Sequence, residues 1–147
     1  MAVSRPVELE DLPAWRAHVL VATADAAERA SIADALRKDG HLVSAVEDGV
    51  ELLEHLDASE PTSRAHLVIA DVELDGFTGL EVLGMTDGTS DRPPVVLLSS
   101  RIDLPMRAAA RQFGAASLVP KPFDMDELRL LVGSILRPHY RSPARAA

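Results

Sequence analysis

Cysteine is missing from this chain of 147 residues. Its absence excludes disulfides, thiolate metal sites and cysteine nucleophiles, and it suits a reducing cytoplasm. Aromatic residues are scarce, at 3% of the chain, so few rings are available to stack on a flavin. Basic residues are outnumbered, 15 Lys and Arg against 23 Asp and Glu, for a net charge of −8. Nucleic-acid binding rests largely on Lys and Arg neutralising phosphates, so unaided binding to DNA or RNA is not expected. No apolar run approaches the roughly 18 residues of a membrane span. The stretch from Met1 to Asp11 lacks the charged-then-apolar pattern of an export signal. No Gly-rich phosphate loop follows the first apolar run, and His18, His41, His55, His66 and His139 show no metal-ligand spacing. The composition that remains, 47% hydrophobic and 26% charged, is that of one ordinary globular domain.

Five short apolar runs alternate with five helical patterns. The runs are Val19–Ala22, Leu42–Val46, Leu67–Ala70, Val95–Leu98 and Leu118–Val119, each bounded by turn or polar residues as a buried strand should be. The first helix spans Ala26–Lys38, with Asp25 as its N-cap, Ala30, Ile32, Ala33 and Leu36 inward, and Gly40 as its stop. Val50–Leu56 and Leu80–Met85 are shorter helices. Pro105–Phe113 starts on a proline that needs no N–H there. A last helix opens on the capping box of Asp124 and Glu127 and ends near Leu136. Such alternation predicts a doubly wound α/β fold, a parallel sheet with helices on both faces joined by right-handed crossovers. An extension is expected at 1–16, where Trp15 covers an edge of the core. The globular domain covers 17–137, and a short basic tail with Arg141 and Arg145 covers 138–147.

In parallel sheets of this kind, sites form beyond the carboxyl ends of the strands, where the strand order reverses. Thr23-Ala24-Asp25, Asp71, Ser99 and Lys121 all fall at such ends, so the predicted fold gathers a carboxylate, a hydroxyl and an ammonium at one edge. The same residues carry a family resemblance. A strand ending on Asp71 with Gly79 in the loop beyond, Ser99 closing the fourth strand, and Lys121-Pro122-Phe123 after the fifth, in this order and spacing, resemble a receiver domain of a bacterial response regulator. The resemblance covers the whole globular part and implies a flavodoxin-like five-stranded sheet of order 2-1-3-4-5. It implies that Asp71 is the phosphoacceptor, served by a histidine kinase or phosphotransfer protein. Ser99 and Lys121 would then contact phosphoryl oxygens, because phosphoryl transfer depends on positioning and charge neutralisation. It further implies output to a downstream protein through the face made by helix four, strand five and helix five, and a homodimer through the same face.

The resemblance also implies Mg²⁺, held in the family by two acidic residues after strand one, the acceptor Asp and a backbone carbonyl two residues beyond. Here that carbonyl belongs to Glu73, whose own carboxylate, like that of Asp75, reads as a solvated loop charge, with reach into the pocket as the alternative for Glu73. The acidic pair is replaced by Thr23 and Ala24, while Asp25 is one place out of register and cast as a helix cap. Leu118 stands where the family often has a ring that rotates on phosphorylation. The competing expectation is therefore a pseudo-receiver that binds partners without phosphorylation. A small flavodoxin-like enzyme is a remoter third.

Overall fold

The computed structural model describes residues 17–57, 65–89 and 91–146, with side chains through Arg137. The expected extension with Trp15, and the loop at 60–63, lie outside the described residues. The observed order is β1 (His18–Ala22), α1 (Ala26–Lys38), β2 (Leu42–Val46), α2 (Gly49–Leu56), β3 (Leu67–Asp71), α3 (Gly79–Met85), β4 (Val95–Ser99), α4 (Leu104–Gln112), β5 (Ser117–Pro120) and α5 (Met125–Ala146). All four strand pairings are parallel, as the alternation of strands and helices predicts, and their order β2-β1-β3-β4-β5 is the one the family resemblance implies.

Strand alternation builds two cores. Leu20, Ala22, Val68, Ala70, Val95 and Leu97 face Leu52 of α2, Val82 and Leu83 of α3, and Ala110 of α4. Val19, Val21, Leu67, Ile69, Val96 and Leu98 face Ile32 and Leu36 of α1 and Leu128, Val132 and Leu136 of α5. The two-residue period of a strand sends neighbours to opposite faces, so β1, β3 and β4 must be apolar throughout. Side chains fully removed from water in this way contribute about 1.5–3 kcal/mol each.

The helix starts follow the sequence closely. Asp25, Asp48, Thr78 and Asp103 each accept a backbone N–H three residues on, capping α1 to α4, and Thr78 with Glu81 forms a reciprocal capping box. Asp124 accepts from the N–H groups of Asp126 and Glu127, at 2.8 and 3.1 Å. The guanidinium of Arg129 binds both oxygens of Asp39 (2.9 and 2.6 Å), tying α5 to the end of α1 and holding the Asp39 carboxyl below its usual range.

Two expectations need correction. Ala30 is exposed, because α1 lies on the sheet along the narrower stripe of Ile32, Ala33 and Leu36. Helix α5 does not end near Leu136 but continues to Ala146. Pro138 and Pro143 each remove one N–H from the helical ladder, and the backbone continues past both.

Candidate functional site at the carboxyl edge of the sheet

Among the described residues, the buried polar or charged ones are Thr23, Asp71 and Ser99. They stand at the carboxyl ends of β1, β3 and β4, the three central strands. A polar side chain kept out of water must find a partner, so these three define where the polar chemistry of the fold is concentrated.

Asp71 continues the alternation of Leu67 and Ile69 and so lies on the α1/α5 side of the sheet. Its Oδ2 accepts from Lys121 Nζ at 2.5 Å, and its Oδ1 accepts from the Glu73 N–H at 3.1 Å. Lys121 follows β5 directly, across a cis bond to Pro122, and its N–H donates to the Ser99 carbonyl at 2.9 Å. Burial pushes the Asp71 carboxyl above its ordinary range, and the Lys121 hydrogen bond only partly offsets this. Burial pulls the Lys121 ammonium down, but the bond and charge of Asp71, with help from Glu28, more than reverse that, so it too lies above the ordinary lysine value.

Glu28, which stands off the apolar stripe of α1, is part of the site although no motif names it: its Oε1 lies 3.3 Å from Lys121 Nζ and accepts the Thr23 hydroxyl at 3.1 Å. A signal was present. Glu28 sits three residues past the Asp25 cap, so the first turn of α1 aims it back over the end of β1. The Glu73 carboxylate is exposed, as a loop charge should be, but it also has a buried partner: Oε2 accepts the Ser99 hydroxyl at 2.8 Å. Ser99 therefore does not join Asp71 and Lys121 directly. Its Oγ bonds Glu73 and the backbone of Arg101.

Gly79 explains why a glycine follows the carboxylate strand. A Cβ there would stand 2.4 Å from the Asp71 carbonyl oxygen, so α3 packs directly on the end of β3. Gly79→Ala is expected to destabilise the domain by about 1–3 kcal/mol through overpacking, read as a lower urea midpoint at unchanged slope.

The geometry can be set beside known proteins. The family model described as response regulator receiver domain matches residues 19–133. The chain belongs to the response regulator receiver domains. Response regulator MprA of Mycobacterium tuberculosis is 33% identical over 119 residues, which make up 81% of this chain and 50% of that protein. MprA of Mycobacterium ulcerans matches with the same identity and coverage. The chain thus spans about half the length of the curated relatives it matches. The signal receiver domain of a LuxO repressor protein from Vibrio parahaemolyticus superposes with a TM-score of 0.77 at 18% identity, covering 89% of this chain and 97% of that one. Vibrio cholerae chemotaxis protein CheY4 does so with a TM-score of 0.72 at 23% identity, over 82% and 99%. As a receiver, the domain is a signalling module rather than an enzyme. No helix among the described residues is long and apolar enough to cross a membrane.

Receiver domains typically use Mg²⁺, and the residues present can be tested for it. Thr23 offers a hydroxyl already donated to Glu28, and Ala24 offers only a methyl. The Asp25 carboxylate caps α1, accepting the Glu28 N–H at 3.0 Å. Both Asp71 oxygens have partners, and the described residues contain no group of three His, Cys, Asp or Glu able to share a metal. This donor set does not fit a hard cation that requires near-octahedral oxygen ligation.

Proposed function

We propose that this receiver takes a phosphoryl group on Asp71 from a histidine kinase or phosphotransfer protein and relays the signal by protein contact. The observation that carries this reading is Asp71 itself, a carboxylate buried at the switch point of the sheet with an ammonium 2.5 Å away. One Asp71 oxygen attacks phosphorus, the P–N bond of the donor's phosphohistidine breaks, and the leaving imidazole keeps the electron pair and takes up a proton. Lys121 then exchanges its carboxylate partner for a phosphoryl oxygen, and Ser99 donates to another. Such transfer is governed by charge placement, and here Lys121 is the cation the chain supplies. The setting is the cytoplasm, where kinase and receiver meet.

Output fits the face of α4, β5 and α5, which also serves for a homodimer. Helix α4 carries Arg107 and Arg111 and no acidic residue, and Leu104 on the same helix is 80% exposed. With Ala108, Ser117 and Leu118 the two arginines line a groove that is basic on a chain of net charge −8. Electrostatic complementarity favours a partner with acidic residues there. Leu118 packs partly buried against the core and brings no ring to that face.

A second reading, a pseudo-receiver that binds its partner without phosphorylation, is favoured by Thr23 and Ala24. Intact-mass spectrometry after incubation with acetyl phosphate and Mg²⁺ separates the two. Slow, substoichiometric addition of one phosphoryl group, absent in Asp71→Asn, is the expected result. No addition from acetyl phosphate or from a phosphorylated kinase would leave only the second reading. Stoichiometric, Mg²⁺-dependent labelling would eliminate it.

A further inference from the structure

The reading above gives Ser99 a phosphoryl oxygen to bind, yet its hydroxyl is already engaged. Ser99 is fully buried, and its Oγ lies 2.8 Å from Glu73 Oε2 and 2.9 Å from the Arg101 carbonyl. A hydroxyl has one proton, so these two acceptors share it. The charged acceptor is the stronger of the two. The other Glu73 oxygen, Oε1, faces the next residue, 3.5 Å from the Ser100 N–H and 3.4 Å from its hydroxyl. One carboxylate thus presents two oxygens to two successive residues of the β4–α4 loop. The Arg101 N–H closes the loop back on Ser99 Oγ at 3.1 Å. A phosphoryl group on Asp71 would offer the same kind of anionic acceptor to the same donors.

The local backbone allows this. Val72 donates to the Leu98 carbonyl at 2.8 Å, which extends the β3–β4 pairing one step past Asp71. Glu73 follows with its N–H fixed on Asp71 Oδ1, and Leu74 is buried behind it. The Glu73 side chain is therefore anchored on both sides and hangs over the end of β4. Lys121 is occupied in the same manner, by Asp71 and Glu28.

We propose that Glu73 is a built-in competitor of the phosphoryl group. Its carboxylate holds the Ser99 hydroxyl, and with it the loop from Ser99 to Asp103, in the bonded arrangement when no phosphate is present. A phosphoryl group arriving at Asp71 must displace this carboxylate from Ser99 against the repulsion of its own charge of about −2. The β4–α4 loop and the surface of α4 beyond it then rearrange only when the phosphoryl group takes Ser99 from Glu73, so Glu73 sets the threshold for that change. This rests on the reading of Asp71 as phosphoacceptor only for the competition. The contact itself stands apart from it.

The test follows amide hydrogen exchange at residues 100–103 in the wild type, Glu73→Ala, Glu73→Asp, Ser99→Ala and the Glu73→Ala/Ser99→Ala double variant. Glu73 is exposed, so its variants keep the core intact. Exchange is expected to quicken roughly tenfold in Glu73→Ala, as befits loss of a charge-assisted hydrogen bond. Ser99→Ala should match it and the double variant should be no faster. Glu73→Asp keeps the charge but is one methylene too short, and should behave as Glu73→Ala. Unchanged exchange in Glu73→Ala, or additive effects in the double variant, would overturn the proposal. In parallel, ¹⁹F NMR of beryllofluoride, added with Mg²⁺, should show Glu73→Ala taking it up at a roughly tenfold lower concentration than wild type. Equal uptake would overturn the competition. Uptake by neither protein counts against Asp71 as acceptor, and the exchange rates alone then decide the Glu73 contact.

Discussion

Lys121→Met should lower the stability of the domain by about 3 kcal/mol at neutral pH, measured by urea unfolding. The reason is what remains behind. Asp71 has a side chain only 5% exposed, and among the described residues Lys121 is its one cationic partner. A methionine fills the volume but leaves the carboxylate buried with a single N–H bond, from Glu73. Removing one member of a buried pair costs far more than the pair itself is worth. The reverse substitution is expected to be cheap. Asp71→Asn still accepts from the Glu73 N–H, leaves Lys121 on Glu28, and removes a charge that burial opposes, so its cost should stay within about 1 kcal/mol. A double-mutant cycle of the two is predicted to be strongly non-additive, with Asp71→Asn rescuing most of the loss in Lys121→Met.

The pH dependence provides a second signature of the same pair. The Asp71 carboxyl is held above its ordinary 3.8 in the folded state, so between the unfolded and folded values the folded state binds more protons. Its ionisation therefore opposes folding as pH rises. Lys121→Met removes the bond and the charge that pull it down, which raises it further. The deficit of that variant should be smallest below pH 3.8 and grow as pH rises through the folded value of Asp71. Lys121 has the opposite linkage. Its folded value lies above 10.5, so its contribution is complete below 10.5 and is lost as pH rises through the folded value. A Lys121→Met deficit independent of pH between 3 and 7 would show that Asp71 is not the group left exposed to that penalty.

Thr23→Asp combined with Ala24→Asp should make thermal stability depend on Mg²⁺, with no such dependence expected of the parent. In the absence of metal, two new carboxylates beside Asp71 and Glu28 repel one another, and the melting temperature should fall. A divalent cation that binds only the folded state adds back roughly 3 kcal/mol at a hundredfold excess over its dissociation constant. The magnitude is large because Thr23 is fully buried, where charge is least screened by water. Mg²⁺ titration followed by thermal melting checks this. A double variant as indifferent to Mg²⁺ as the parent would show that positions 23 and 24 do not stand where the family holds its acidic pair.

Much of the site could be read from the chain because it is a matter of strand ends. Apolar runs that stop on Asp71 and Ser99, or just before Lys121, announce polar groups at the edge of a parallel sheet, and parallel strands bring like ends together. Asp25 as a cap was legible for a local reason, since a cap needs only the N–H three residues on. Glu28 and Glu73 were legible only in position, over the end of β1 and in the loop after β3; their donors were not, because each finds one far along the chain, Glu28 at a separation of 93 residues and Glu73 at 26. The length of α5 was misjudged because a proline lowers helix propensity without dictating where a helix ends.

By itself, then, the sequence determined the alternation of strands and helices, the helix starts, and the placing of Asp71, Ser99 and Lys121 at one edge. These follow from local periodicity and capping, which act over a few residues. It also determined, by simple substitution, that Thr23 and Ala24 provide no carboxylate. The pairing of Asp71 with Lys121 follows from that placing, and only the tertiary structure decided the others: Glu28 on Lys121, Glu73 on Ser99. Those pairings depend on the parallel register and on the side of the sheet each side chain faces, and both are set by the packing of the whole domain.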